Sequence, residues 1–96
     1  MHSSIPKEKI IKVIEIFFPE AKVYLFGSRA RGDNTERSDI DIAIDAGKPM
    51  TMTEKGQIIT MIDALNIPQK TDIVDFNRAP QALKDNIAKE GILWKS

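Results

Sequence analysis

The residues whose types and spacing suit chemistry lie in one stretch of this chain, Tyr24 to Asp45, which reads YLFGSRARGDNTERSDIDIAID. Asp39 and Asp41 stand two residues apart in an apolar run, and on a strand that spacing puts both carboxylates on one face. Such a pair repels itself unless a cation lies between. Asp-x-Asp alone also describes a solvated strand end, but three features nearby point to a site. Gly27-Ser28 closes an apolar run 11 residues before Asp39; a glycine there lets the backbone approach a ligand, and the turn's amides with the Ser28 hydroxyl suit phosphate oxygens. Arg29 and Arg31 place cationic donors beside that turn. Asp72, near the start of a later strand, is positioned to join Asp39 and Asp41.

Three converging carboxylates would raise one another's pKa values unless divalent cations neutralise them. Oxygen-only ligands, with no cysteine and His2 the sole histidine, point to Mg²⁺ rather than zinc. Asp75 competes with Asp72 for third place and ranks below it. It points to the opposite strand face, and the plain alternative makes it a strand-end surface residue. Asp33, Asp45 and Asp63 read as solvated or capping residues, and Arg31 and Arg37 also fit simple surface charge.

The elements that must position these groups follow from periodicity. Ile10, Val13, Ile14 and Phe17 recur at helical spacing, which predicts a helix from about Pro6 to Phe18 behind Ser3 and Ser4, ended by Pro19. Ala21 to Phe26 predicts a buried strand in which Tyr24 is core, and Gly32, Asp33 and Asn34 make the next segment a turn or a single helical turn rather than a full helix. Asp39 to Ile44 is the second strand, with Ile40, Ile42 and Ile44 opposite the aspartates. Thr53 is the expected N-cap of a helix burying Ile58, Ile59, Ile62 and Leu65, ended by Asn66 and Pro68. Met50, Met52 and Met61 are expected to fill core gaps. Lys70 to Phe76 predicts a third strand. Asn77 to Pro80 opens a last helix that buries Leu83, Ile87 and Ala88 and stops at Gly91, before a short edge strand at Ile92 to Trp94. Alternating strands and helices predict an α/β fold, a small mixed sheet flanked by helices, with residues 1–96 as one domain.

Composition narrows the function classes. The 96 residues hold 14 Lys plus Arg against 14 Asp plus Glu, so no overall positive field is available to hold a long nucleic acid. With 42% hydrophobic and 29% charged residues, the chain has the makeup of a folded domain rather than a disordered one. It has no cysteine, and no signal peptide or long apolar run, so a cytoplasmic protein without membrane attachment is expected.

Gly27-Ser28-Arg29-Ala30-Arg31-Gly32, followed by Ser38-Asp39-Ile40-Asp41, resembles the signature of the DNA polymerase β-type nucleotidyltransferase superfamily. In its full form it is similar to the minimal nucleotidyltransferases, or MNT proteins, that partner HEPN-domain proteins. The resemblance covers nearly the whole chain and implies that superfamily's minimal core. It also implies that Asp39, Asp41 and Asp72, the last in Thr71-Asp72-Ile73-Val74, hold two Mg²⁺ ions. Gly27-Ser28 would then bind the phosphates of an NTP, ATP first among them, with Arg29 and Arg31 steadying phosphate or contacting the acceptor's protein.

Larger members carry added domains for their acceptors, and this chain has no residues left for one. The resemblance therefore implies an acceptor platform on another chain, a HEPN-domain toxin whose hydroxyl, plausibly a tyrosine's, receives AMP. The protein would then be the antitoxin. Two alternatives are a non-catalytic antitoxin that acts by covering its partner, and a small-molecule nucleotidyltransferase working with a helical partner subunit.

Overall fold

Isoleucines at helical and at alternating spacing decide how this chain layers itself. In the computed structural model, which describes residues 5–96, the elements run α1 (Lys7–Phe17), β1 (Lys22–Phe26), α2 (Ser28–Arg31), β2 (Ile40–Asp45), α3 (Met52–Asp63), β3 (Thr71–Asp75), a 3₁₀ turn (Phe76–Arg78), α4 (Gln81–Glu90) and β4 (Ile92–Lys95). His2, Ser3 and Ser4, named above, lie outside the described residues. The four strands form one mixed sheet in the order β3-β2-β1-β4. β1 pairs antiparallel with β2 and with β4, and β2 pairs parallel with β3. The expected small mixed sheet with flanking helices is what forms.

One face of the sheet carries the core. Ile40, Ile42 and Ile44 of β2 and Val23 and Leu25 of β1 pack with Ile10, Val13 and Ile14 of α1 and Ile58 and Ile62 of α3. The β1–β2 register sets Val23 opposite Ile44 and Leu25 opposite Ile42, so both apolar sets share this side. The other face bears Tyr24, Phe26, Asp41, Asp72 and Val74. α4 packs against this face beside β1, with Ile87 fully buried. There Lys84 Nζ sits 5.9 Å from the Phe76 ring centroid, and Phe76 stacks on Tyr24 at 5.9 Å.

Several expectations are corrected. The N-cap of α3 is Thr51, whose hydroxyl accepts from Glu54 N at 3.1 Å while Glu54 Oε1 accepts from Thr51 N at 2.8 Å. Thr53 has Gly56 three residues on and no side chain there to complete such a box. Starting at Thr51 puts Met52 in the first turn facing solvent, 91% exposed, so of the three methionines Met50 is buried, Met61 half-buried and Met52 bare. Ile59 is on the rim rather than in the core, and Ala88 is exposed although Ile87 beside it is buried. The last helix begins only at Gln81, because a 3₁₀ turn intervenes after β3.

Candidate active site

The site is assembled where β1 ends and β2 and β3 begin. Phe26 closes β1 opposite Asp41, and Asp41 in turn stands opposite Asp72 in the parallel pair. Adjacent strands are about 4.8 Å apart, so the two carboxylates rise side by side from the face turned away from α1 and α3. Asp39 immediately precedes β2 and is exposed, as is Asp72, whereas Asp41 is half-buried. The structure thus brings Asp39, Asp41 and Asp72 into one neighbourhood.

Their mutual influence appears in the ionisation of Asp41. Its carboxyl is raised above the ordinary 3.8 by burial first, then by the charges of Asp72 and Asp39, while Arg31 and Lys70 act in the opposite direction. Lys70, at the start of the third expected strand, has no local sequence signal that ties it to the aspartates. It leads into β3, and its carbonyl accepts from Ile40 N at 2.8 Å, which ties the entry of β3 to the entry of β2. Only that pairing reveals it, since Lys70 and Asp41 are far apart along the chain.

Gly27 has φ 74° and ψ −156°, a conformation essentially reserved to glycine. A Cβ built on it would overlap Asp41 Oδ2 and lie 3.1 Å from Asp41 Cγ, so the turn's backbone is packed directly on the carboxylate. From there α2 makes a single turn: Ala30 N and Arg31 N each donate to Gly27 O at 3.1 Å, and Gly32, at φ 85°, ends it by donating to Ser28 O at 2.9 Å. The amides of Ser28 and Arg29, at the start of the turn, have no partner within it.

The two arginines separate in role. Arg31 Nε pairs with Asp33 Oδ2 at 3.3 Å, and its Nη1 lies 3.9 Å from Glu90 Oε1 on α4, with its charge felt at Asp41. Arg29 turns instead to the 33–38 loop, donating from Nε to Ser38 O at 3.2 Å and from Nη2 to Thr35 O at 3.3 Å and Glu36 O at 3.2 Å.

Asp75 is corrected outright. It is 5% exposed, not a surface residue. Its Oδ2 accepts from Met50 N at 2.7 Å and lies 3.5 Å from Arg78 Nε, and its Oδ1 accepts from Asn77 N at 3.0 Å. Being odd-numbered with Ile73, it faces the core side, so the strand's pleat separates it from the carboxylates. Asp45 caps its own turn, accepting from Gly47 N at 2.9 Å and Asn77 Nδ2 at 3.0 Å.

Among the described residues no three carboxylates close around a common point as they stand. The donor set still suits a hard divalent cation: oxygens alone, neighbouring strands, and a central carboxylate whose charge is disfavoured by its neighbours. A cavity of about 570 Å³ opens beside Asp72, between α3 and the edge strand β3, with Lys55, Ile59, Lys70 and Thr71 among its walls. No helix among the described residues is long and apolar enough to cross a membrane.

A glycine turn packed on one of a pair of aspartates, in a mixed four-stranded sheet, defines a class. The family described as "Polymerase beta, Nucleotidyltransferase" matches residues 8–96. The chain belongs to that family and carries its nucleotidyltransferase domain.

Within the family it is similar to the protein adenylyltransferase MntA of Shewanella oneidensis, at 30% identity over 90 residues, 92% of this chain and 64% of that one. It is also 27% identical over 86 residues to a chain of Methanocaldococcus jannaschii named "Putative protein adenylyltransferase", covering 90% of each. Among solved structures, a toxin–antitoxin with AMP-PNP superposes with a TM-score of 0.81 at 28% identity, over 96% of this chain and 74% of that one. A tri-AMPylated Shewanella oneidensis HEPN toxin in complex with MNT antitoxin superposes with a TM-score of 0.72 at 26% identity, over 94% and 69%.

Proposed function

We propose that this protein transfers AMP from ATP to a hydroxyl, a tyrosine's for preference, of a HEPN-domain toxin, and so acts as its antitoxin in the cytoplasm. The observation that carries the reading is the packing of the Gly27 backbone on Asp41, with Asp72 opposite Asp41 across the parallel pair. A phosphate held at the Gly27-Ser28 turn therefore lies beside carboxylates. A binder that acted by coverage alone would have no physical reason to keep repelling aspartates together at such a turn. The likeness to a toxin–antitoxin crystallised with AMP-PNP and to a complex of an MNT antitoxin with a tri-AMPylated HEPN toxin supports ATP as donor and a HEPN toxin as acceptor.

In this reading Ser28 and the first amides of α2 bind the β- and γ-phosphates, and Arg31 lends positive charge at the same end of the sheet. Asp39, Asp41 and Asp72 would hold two Mg²⁺ ions, which when bound neutralise the carboxylates and stabilise charge on the attacking and leaving oxygens. Asp72, on an edge strand with one side open, orients the acceptor hydroxyl and takes its proton. The oxygen–phosphorus bond to the acceptor forms as the bond to the departing pyrophosphate breaks. The test is incubation with labelled ATP, Mg²⁺ and the HEPN partner: label and a matching mass increase on the partner are expected, lost when Asp39→Asn and Asp41→Asn are combined. A double variant that still labels its partner would overturn the assignment.

A further inference from the structure

We infer that Arg29 is a positioning residue for Asp39, and that with Gln69 it ties the segments carrying Ser28, Asp39 and Asp72 into one unit. The loop of residues 33–38 has no regular secondary structure, yet it delivers Asp39 to the site. What holds it is visible in its carbonyls. Those of Thr35, Glu36 and Ser38 all accept from the half-buried Arg29 guanidinium, at 3.3, 3.2 and 3.2 Å. Glu36 O also accepts from Gln69 Nε2 at 3.1 Å, on the segment leading into β3. Thr35 N donates to Ser38 Oγ at 2.9 Å and closes the loop on itself.

The chemistry favours a clamp over a phosphate ligand at this position. A guanidinium offers five donors in a rigid plane, and three carbonyls of one bend present acceptors at a matching spread. Among the described residues no carboxylate pairs with Arg29, so backbone oxygens satisfy its donors. Because Arg29 lies in α2, one residue after Ser28, and Gln69 two before Thr71, the loop is pinned from both flanks of the site. The last carbonyl held, that of Ser38, belongs to the peptide bond leading directly into Asp39. The consequence for catalysis rests on the proposed AMP transfer; the clamp itself does not.

Two measurements on the full chain separate the possibilities. Amide hydrogen exchange over residues 33–39 is expected to rise about tenfold or more in Arg29→Ala, the factor that loss of one charge-assisted hydrogen bond corresponds to. Circular dichroism of the sheet and helices should be unchanged. In the transfer assay, kcat should fall by about 10- to 100-fold, as for other groups that orient metal ligands, while KM for ATP moves little. Arg29→Lys should not rescue either readout, because a point ammonium cannot span three carbonyls. Gln69→Ala should loosen the same loop more weakly, and it keeps the inference testable should Arg29→Ala fail to fold. Unchanged loop exchange in Arg29→Ala, or in Gln69→Ala where it must stand in, overturns the clamp. A raised KM with unaltered kcat would make Arg29 a phosphate ligand and overturn it as well. Raised loop exchange in a protein whose parent transfers no AMP supports the clamp and refutes the proposed reaction instead.

Discussion

The α-carbon of Gly27 rests against the carboxylate of Asp41, leaving no room for even a methyl group between the Gly27-Ser28 turn and that aspartate. Two requirements meet at one residue: a backbone conformation open to glycine alone and a contact that tolerates no Cβ. The turn and Asp41 therefore have a fixed distance, set by van der Waals contact rather than by a flexible side chain. Gly27→Ala is expected to cost about 1 to 3 kcal/mol in denaturant unfolding from backbone strain, with more from the overlap. It should also abolish AMP transfer by displacing Asp41. An alanine variant with parental stability would show that the turn has an alternative conformation.

Asp72 and Asp75, three residues apart on β3, are expected to fail in opposite ways. Asp75→Ala leaves Met50 N and Asn77 N without their carboxylate partner and should lose on the order of 2 to 4 kcal/mol of stability, as buried hydrogen bonds to a charged group do. Asp72→Asn, at an exposed position, should leave stability within about 0.5 kcal/mol while removing transfer. Measuring unfolding and labelling on both variants checks this, and loss of labelling in Asp75 variants that remain folded would reopen its place in the site.

The raised pKa of Asp41 makes a prediction about pH. The folded protein holds this proton more tightly than the unfolded chain, so between 3.8 and the raised value the native state binds more protons. In that window the Asp41 contribution to stability falls as pH rises. At neutral pH the ionised group is a net burden on the metal-free protein. Asp41→Asn should therefore be as stable as the parent or more so at pH 7, with the advantage shrinking as the pH drops toward 3.8. The order reverses on adding Mg²⁺, which at 100 times its dissociation constant should stabilise the parent by about 2.7 kcal/mol and the variant by much less. Thermal unfolding across pH, with and without Mg²⁺, reads both effects; equal Mg²⁺ responses would mean that no carboxylate cluster binds the ion.

The Thr51 capping box predicts a local effect away from the site. Thr51→Ala should cost about 1 kcal/mol, and Thr53→Ala only a few tenths, because only Thr51 satisfies an amide at the start of α3. Parallel denaturation of the two variants tests the assignment, and equal losses would argue against it.

The sequence alone was enough to specify much of this protein. Isoleucines at periods near 3.6 and 2 dictate which segments are helices and strands and which face of each is buried, because burial of an alternating pattern admits one orientation. The closeness of Gly27 to Asp41 was foreshadowed too, since the glycine ends one apolar run and Asp41 lies in the next, and the two runs pair antiparallel with Phe26 opposite Asp41. What needed the tertiary structure was everything that depends on pairing between distant segments. Lys70 and Gln69 join the site only because β3 runs parallel to β2 and sets its entry beside Asp39. Asp75 is buried rather than exposed because the loop at Met50 closes over it, supplying an amide that no local pattern announces. Arg29 illustrates the limit most sharply: its type and place beside the glycine turn suit phosphate, and only the path of the 33–38 loop, curling back over α2, presents three carbonyls to its guanidinium first.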